Sequence, residues 1–297
     1  MKINSNGIEL EVEDSGADGS QTERPVVLLI MGLGMQLTAW PPAMLRGLVD
    51  AGYRVIRHDN RDIGLSSHLD HLGRPHLAWE TFKLKLGFGL RPRYSMRDMA
   101  DDALGLLDAL GVDQAHVVGV SMGGMIAQRM AIIAPQRLLS LTSIMSSSGD
   151  PQLPNAALAV QKVLIERPDG GDLEAVVRHY LRLFDVIGSP GFPQNQVELA
   201  KRIRFSVQRR YNPAGVTRQM LAILADAGRA EALAAIRAPT LVLHGKDDPL
   251  VPYACGVDTA RRIAGARLAG IDGMGHDLAP GVVDLLMAQL LPHLSAA

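Results

Sequence analysis

Residues 117–125 read VVGVSMGGM. Up to Val120 the pattern is that of a buried strand; from Met122 onward the apolar residues of MGGMIAQRMAIIA recur with helical spacing. Ser121 therefore stands at the junction, boxed between Gly119 and Gly123. An isolated serine between glycines is commonly no more than a turn. Directly between a strand and a helix, the same G-x-S-x-G makes a sharp, strained bend that lifts the serine oxygen above the end of the sheet. A side chain at 119 or 123 would collide across that bend. The helix opening at Met122 aims its unpaired N–H groups at any anion that forms on the serine's reaction partner, so Ser121 is placed as a nucleophile.

Working outward, strand, glycine turn and helix recur in both directions. IELEVED at 8–14 alternates like an early edge strand, and VVLLIMG at 26–32 is the continuous apolar run of a strand buried on both faces. A helix over about 40–51 leads to a strand at 53–59. Ser95 with Asp98 three residues on predicts a capping box, opening a helix that Gly111 stops. Further strands are predicted at 115–120, 138–145, 239–245 and 266–271, with helices at 122–134, 256–264 and 280–294. Alternating β and α of this kind predicts a mostly parallel, doubly wound sheet covered on both faces.

Between 149 and 236 the strand signature disappears in favour of helical stretches such as NAALAVQKVLIE, DLEAVVRHYLRLF and VTRQMLAILADA. This predicts a discontinuous core, residues 1–148 and 237–297, interrupted by a helical cap over 149–236. A second irregular stretch, 67–94, is too long for an ordinary connection and carries Trp79, Phe82 and Phe88, so it is expected to have structure of its own.

The 297 residues and 47% apolar content suit a globular chain with a sizeable core. Thirty basic side chains against thirty-one acidic ones give a net charge of −1, which supplies no global field for nucleic acid or an anionic membrane. The expected partner is a small molecule. Cys255 is the sole cysteine, so an internal disulfide is excluded; the polar, acidic opening stretch and the lack of any apolar run near the ~20 residues of a membrane span predict a cytoplasmic protein with no stable membrane anchor. Oligomeric state is not legible.

A serine hydroxyl needs a base to take its proton, and the base needs an acceptor on its far nitrogen. Downstream, LVLHGKDDPLVP places Asp247 and Asp248 on the loop after a buried strand, and IDGMGHDLAP places His276 on a glycine-rich loop after the next. Ser, Asp, His, each at the carboxyl end of a strand, is the α/β-hydrolase order, and open α/β sheets bind ligands at that edge. Over essentially its full length the chain resembles the α/β-hydrolase superfamily, in layout the aclacinomycin methylesterase group, through MGLG at 31–34, HDNRDIGLS at 58–66, GVSMGG at 119–124, GKDDPLVP at 245–252 and GMGH at 273–276. The resemblance implies Ser121 as nucleophile, His276 as general base and acid, and Asp248 as the orienting carboxylate, preferred over Asp247 because the family's acid commonly precedes the proline-containing turn, here Pro249. The alternative acid position, after the strand following the elbow, offers no carboxylate before Asp150.

The oxyanion hole is expected from the backbone N–H of Met122 and of Leu33 on the loop after VVLLIM. Met31 stands where many relatives carry histidine, which removes a polar brace for that loop but leaves a backbone donor. Met35 and Met145, in or beside the motif loops, are expected to contribute to an apolar substrate pocket, together with Val177, Tyr180, Leu181 and Phe184 on the insertion, with the aromatics of 79–88 beside them. The insertion should leave and re-enter at the carboxyl edge of the sheet and roof the site.

The remaining features have plainer readings. His68, His71 and His76 lack the cysteines or carboxylates of a metal set and read as a solvated loop. His58, Asp59, Arg61 and Asp62 read as a hydrogen-bonded turn, His244 as a packing residue, Cys255 as buried, and the five cations of KRIRFSVQRRY at 201–211 as a solvated helix face. The expected activity is cleavage of a carboxylic ester through an acyl-enzyme, with neither metal nor cofactor required. Perhydrolysis and C–C bond hydrolysis use the same three residues, and a non-catalytic ligand-binding receptor of the hydrolase fold is the competing class.

Overall fold

The computed structural model describes residues 1–19, 23–86, 88–166, 168, 171–226 and 228–297. Eight strands form one sheet: β1 (Lys2–Ser5), β2 (Ile8–Asp14), β3 (Val26–Ile30), β4 (Arg54–His58), β5 (Ala115–Val120), β6 (Leu138–Ile144), β7 (Thr240–Gly245) and β8 (Arg267–Ile271), in the order β1-β2-β4-β3-β5-β6-β7-β8. β1 and β2 pair antiparallel, β2 joins β4 antiparallel, and every later pairing is parallel. The helices are α1 (Pro42–Asp50), α2 (Leu77–Lys85), α3 (Met96–Ala109), α4 (Met122–Ile133), α5 (Leu158–Ile165), α6 (Leu173–Ile187), α7 (Gln196–Arg209), α8 (Pro213–Leu224), α9 (Arg229–Ala232), α10 (Tyr253–Arg262) and α11 (Pro280–Ser295).

The central strands read as continuous apolar runs because each side of the sheet has its own core. Along β3, Val26, Leu28 and Ile30 join α3 and α4 on one face, while Val27 and Leu29 join α1 and α11 on the other; along β5, Ala115 and Val117 divide from Val118 and Val120 in the same way. Alternate side chains point to opposite faces, and each fully buried Val, Leu or Ile contributes roughly 1.5–3 kcal/mol. The predicted capping box at α3 forms, with the Ser95 and Asp98 side chains each accepting from the other's backbone N–H.

β1 is a strand the sequence reading omits, and it corrects the placement of β2. Asn6 and Gly7 both take positive φ, 48° and 77°. That is the primed turn which an Asn-Gly pair favours, and it folds β1 back along β2, so β2 is covered rather than being the edge. Between β6 and β7 the described residues carry helices α5 to α9 and no strand. The irregular stretch at 67–94 does contain a helix, α2, but Trp79, Phe82 and Phe88 on it and after it are 56%, 50% and 61% exposed. The expectation that these aromatics help line a pocket is therefore corrected: they face solvent. No helix among the described residues is long and apolar enough to cross a membrane.

Candidate active site

Ser121 sits between β5 and α4 at φ 55°, ψ −119°, a positive-φ conformation that costs a non-glycine residue of order 1–3 kcal/mol. The surrounding structure enforces it. Ser121 N–H donates to the Ile144 carbonyl of β6 at 2.9 Å, and Ser146 Oγ donates to the Ser121 carbonyl at 2.8 Å. The flanking glycines are needed for close approach: a Cβ on Gly119 would lie 2.1 Å from the Gly123 oxygen, and one on Gly123 would lie 2.0 Å from the Ile30 oxygen of β3.

The other two residues come from the loops after β7 and β8. His276 Nε2 lies 3.0 Å from Ser121 Oγ, and His276 Nδ1 lies 2.7 Å from Asp248 Oδ2. Asp248 is buried, and its Oδ1 accepts from the Leu250 and Val251 N–H groups at 2.9 and 2.8 Å. A carboxylate held by two backbone donors presents its second oxygen in a fixed direction, toward the imidazole. Asp247, exposed, points elsewhere: its Oδ2 accepts from Gly273 N–H at 2.7 Å and ties the loop after β7 to the loop after β8. Asp150 pairs with Arg262.

His244 lies under this pair, with Nε2 2.7 Å from the Val251 carbonyl and 3.6 Å from Asp248 Oδ2. Burial holds its imidazole below the ordinary histidine range, the Val251 carbonyl and Asp248 pulling weakly the other way. A neutral His244 leaves the charge of Asp248 to His276.

Beside Ser121 runs the loop after β3. Gly32 approaches closely enough that a Cβ there would meet Ser121 Cβ at 3.2 Å. The N–H groups of Leu33 and Met122 donate to no backbone or side-chain acceptor among the described residues. The brace that Met31 cannot supply comes from residues the sequence reading did not single out for it. Asn60 Nδ2 donates to the Met31 carbonyl at 2.9 Å, and Gln219 Oε1 on α8 accepts from Gly34 N–H at 3.0 Å. Gln36 Nε2 donates to the Ser206 and Arg210 carbonyls at 2.7 Å each.

The turn at 58–66 is the hydrogen-bonded scaffold expected of it. Asp59 accepts from the Leu37 and Leu65 N–H groups, Arg61 pairs with Asp102, and Asp62 pairs with Arg218 of α8 through two bonds of 2.8 and 2.6 Å. One cation of the basic stretch departs from a solvated face: Arg209 reaches inward to Asp59 at 2.6 Å. Arg204 and Lys201 pair with Glu174 and Glu198 at the surface. Cys255 is buried, and burial pushes its thiol pKa up. Among the described residues no group of three His, Cys, Asp or Glu is set to hold a metal ion.

Of the expected pocket residues, Met145 is buried at the end of β6 and Met35 packs against the same core as β3. Val177 is buried with Leu199 and Ile203 of α7, and Tyr180, Leu181 and Phe184 pack onto that cluster. These four side chains join α6 to α7.

The alpha/beta hydrolase fold model matches residues 25–279. The chain belongs to the α/β-hydrolase fold family. Within it, the chain is 30% identical to the rhodomycin D methylesterase DauP of Streptomyces sp. (strain C5), across 94% of this chain and 93% of that one. It is 31% identical to a putative carbamate hydrolase RutD of Serratia proteamaculans (strain 568), across 85% and 84%. Among solved structures, a hydrolase from Pseudomonas aeruginosa PA01 superposes with a TM-score of 0.70 at 26% identity, covering 99% of this chain and 97% of that one. This α/β hydrolase thus has relatives that act on esters and, by name, carbamates.

Proposed function

We propose that the protein is a serine hydrolase that cleaves carboxylic esters through an acyl-enzyme. The observation that carries this reading is the unbroken relay from Ser121 Oγ through His276 to Asp248 at 3.0 and 2.7 Å, with the serine held in a strained elbow. Ser121 Oγ attacks the ester carbonyl as His276 Nε2 takes its proton, while Asp248 fixes the imidazole tautomer and stabilises the imidazolium. The N–H groups of Leu33 and Met122 hold the oxyanion. Collapse expels the alcohol, which receives the proton from His276. Water, deprotonated by the same nitrogen, then attacks the acyl carbonyl and releases the acid and free Ser121.

The substrate class proposed first is a methyl ester of a larger carboxylic acid, on the strength of the methylesterase relative. A carbamate presents the same carbonyl chemistry and is the second reading, motivated by the carbamate hydrolase relative. In this reading residues 149–236 are a cap over the site. Three of its segments touch three of the loops that carry the chemistry: Ala157 N–H donates to Pro249 O beside Asp248, Ile187 O accepts from His276 N–H, and Val216 packs on Gly34. Met35 and Met145 contact the substrate from the core side, and Val177, Tyr180, Leu181 and Phe184 act on specificity through the placement of α6.

The test is p-nitrophenyl acetate turnover with rapid mixing. A burst of p-nitrophenol stoichiometric with enzyme, lost in Ser121→Ala, is the expected result. Turnover retained in Ser121→Ala would overturn the nucleophile assignment, and absence of any burst or turnover across ester and carbamate panels would favour a binding protein. Comparing methyl esters with the matching carbamates ranks the two substrate classes.

A further inference from the structure

We infer that the cap segment 188–194, through Ser189 and the core residue Asp277, is the positioning element of His276, so that the cap builds the general base as well as covering the site. The inference rests on the reading of His276 as the base.

Two glycine-containing tetrapeptides meet here, Gly188-Ser189-Pro190-Gly191 after α6 and Gly273-Met274-Gly275-His276 after β8. They lie backbone on backbone. A Cβ on Gly275 would stand 2.3 Å from the Gly188 oxygen, and one on Gly191 would stand 2.9 Å from Gly273 Cα. Glycine at these positions is what lets the two chains touch. Hydrogen bonds then join them residue by residue. Gly191 N–H donates to Gly273 O at 2.9 Å, and His276 N–H donates to Ile187 O at 2.7 Å. Ser189 Oγ accepts from Gly275 N–H at 2.9 Å and donates to Asp277 Oδ1 at 2.5 Å. Gln194 Nε2 donates to Asp277 Oδ2 at 2.6 Å, with Ser189 N–H a longer donor at 3.4 Å.

Asp277 is buried and adjoins the catalytic histidine in sequence, yet its carboxylate is held by a hydroxyl, an amide and backbone N–H groups rather than by a cation among the described residues. Such a carboxylate, once dehydrated, fixes the direction of every donor around it. On its other side the histidine loop is held by the loop after β7, where Asp247 bonds Gly273 and Met274 and Lys246 pairs with Asp272. The ring of His276 is therefore aimed between a core contact and a cap contact, and the cap cannot swing away at this corner while the base stays in register. Asp277 and Ser189 touch no reacting atom; they act through His276.

The experiment measures kcat and KM for p-nitrophenyl acetate, together with the folded fraction by circular dichroism, in Ser189→Ala, Asp277→Ala, Asp277→Asn and Gln194→Ala. Mis-aiming the base should lower kcat roughly 10- to 100-fold in Ser189→Ala and Asp277→Ala, leave KM for this small ester unchanged, and move the acid limb of the pH profile. Asp277→Asn should recover most of kcat, because the Gln194 amide can turn over to accept from the new amide. Gln194→Ala, a partly exposed change, should fold normally and lose several-fold in kcat. Wild-type kcat in folded Ser189→Ala and Asp277→Ala overturns the inference, as does a loss that merely tracks the unfolded fraction. Should both fail to fold, an unchanged kcat in Gln194→Ala overturns it. Ser121→Ala separates the two proposals: if that variant is active the functional reading falls, and if it is dead while the variants named above are normal, only this inference falls.

Discussion

Replacing Asp248 by Asn tests the proposed relay at its least exposed link. The Asn side-chain oxygen would keep the position that accepts from the Leu250 and Val251 N–H groups at 2.9 and 2.8 Å. Its amide NH2 would then face His276 Nδ1 across the 2.7 Å now spanned by a hydrogen bond to a carboxylate. Two donors cannot face each other, so the imidazole shifts its proton to Nε2, the nitrogen 3.0 Å from Ser121 Oγ that has to accept. The base is disabled with its geometry intact, and the loss of the carboxylate also removes stabilisation of the imidazolium. In a triad this substitution costs about 10⁴ in kcat, equivalent to ~5 kcal/mol of barrier. Asp247→Asn makes the opposite case, since an Asn oxygen still accepts from Gly273 N–H, and a retained neutral bond predicts a loss below about tenfold. Steady-state kcat on p-nitrophenyl acetate, with melting curves to show that both variants are folded, separates them. An Asp247→Asn loss as large as that of Asp248→Asn, or the reverse ranking, would refute the orientation argument.

Ser121→Ala should abolish turnover with little change in unfolding midpoint, because it removes one half-buried oxygen and no core volume. Ser121→Gly should be equally inactive but more stable than Ser121→Ala by about 1 kcal/mol, the relief at φ 55° less the entropy of glycine; equal urea midpoints would refute strain at the elbow. Burial pushes the imidazoles of His58 and His116 down to about 4 from 6.5, so the unfolded chain takes up protons first as pH falls. Their contribution is fully present above pH 6.5 and is lost as pH falls toward 4, by up to ~3 kcal/mol for His58; urea midpoints that are flat between pH 7 and 5 would contradict this. Ile203→Ala, which empties the cluster joining α6 to α7, should cost ~2–4 kcal/mol and alter ester preference more than the rate on p-nitrophenyl acetate, and a panel of acyl lengths read against that rate checks the ordering.

The parts of this molecule legible in the sequence are those with a local cause. Buried strands such as VVLLI are written in continuous apolar residues, the elbow in glycines that leave no room for a side chain, and helix α3 in its Ser95–Asp98 cap. The β1 hairpin is marked locally by Asn6-Gly7, but β1 itself is four mostly polar residues, too short a run to show the strand alternation. What the sequence does not carry is partnership at long range. Nothing local says that Gln219 will accept from Gly34, that Arg209 will leave its solvated neighbours for Asp59, or that Ser189 will meet Asp277. Those contacts follow from where α6, α7 and α8 come to rest. Similarly, the apolar stripe of Val177, Tyr180, Leu181 and Phe184 announced a buried face without saying against what, and the answer is α7.

The order in which the sheet is laid down gives the elbow a temporal meaning. β5, which carries Ser121, lies between β3 and β6 in the middle of the sheet, whereas Asp248 and His276 follow β7 and β8, the last strands in both sequence and sheet order. Ser121 and His276 are 155 residues apart along the chain, with α5 to α9 between them. During synthesis, the central strands and the face of the sheet that α3 and α4 cover can assemble around a serine with no base beside it, while the other face waits for α11, the last helix of the chain. Burial of Trp40, which shares its core with α11, and hydrolysis by the proposed triad would both wait for β7, β8 and that helix. With the proposed triad, hydrolysis is a clock for the final docking step, and a product stalled before β7 is silent even with its central strands paired.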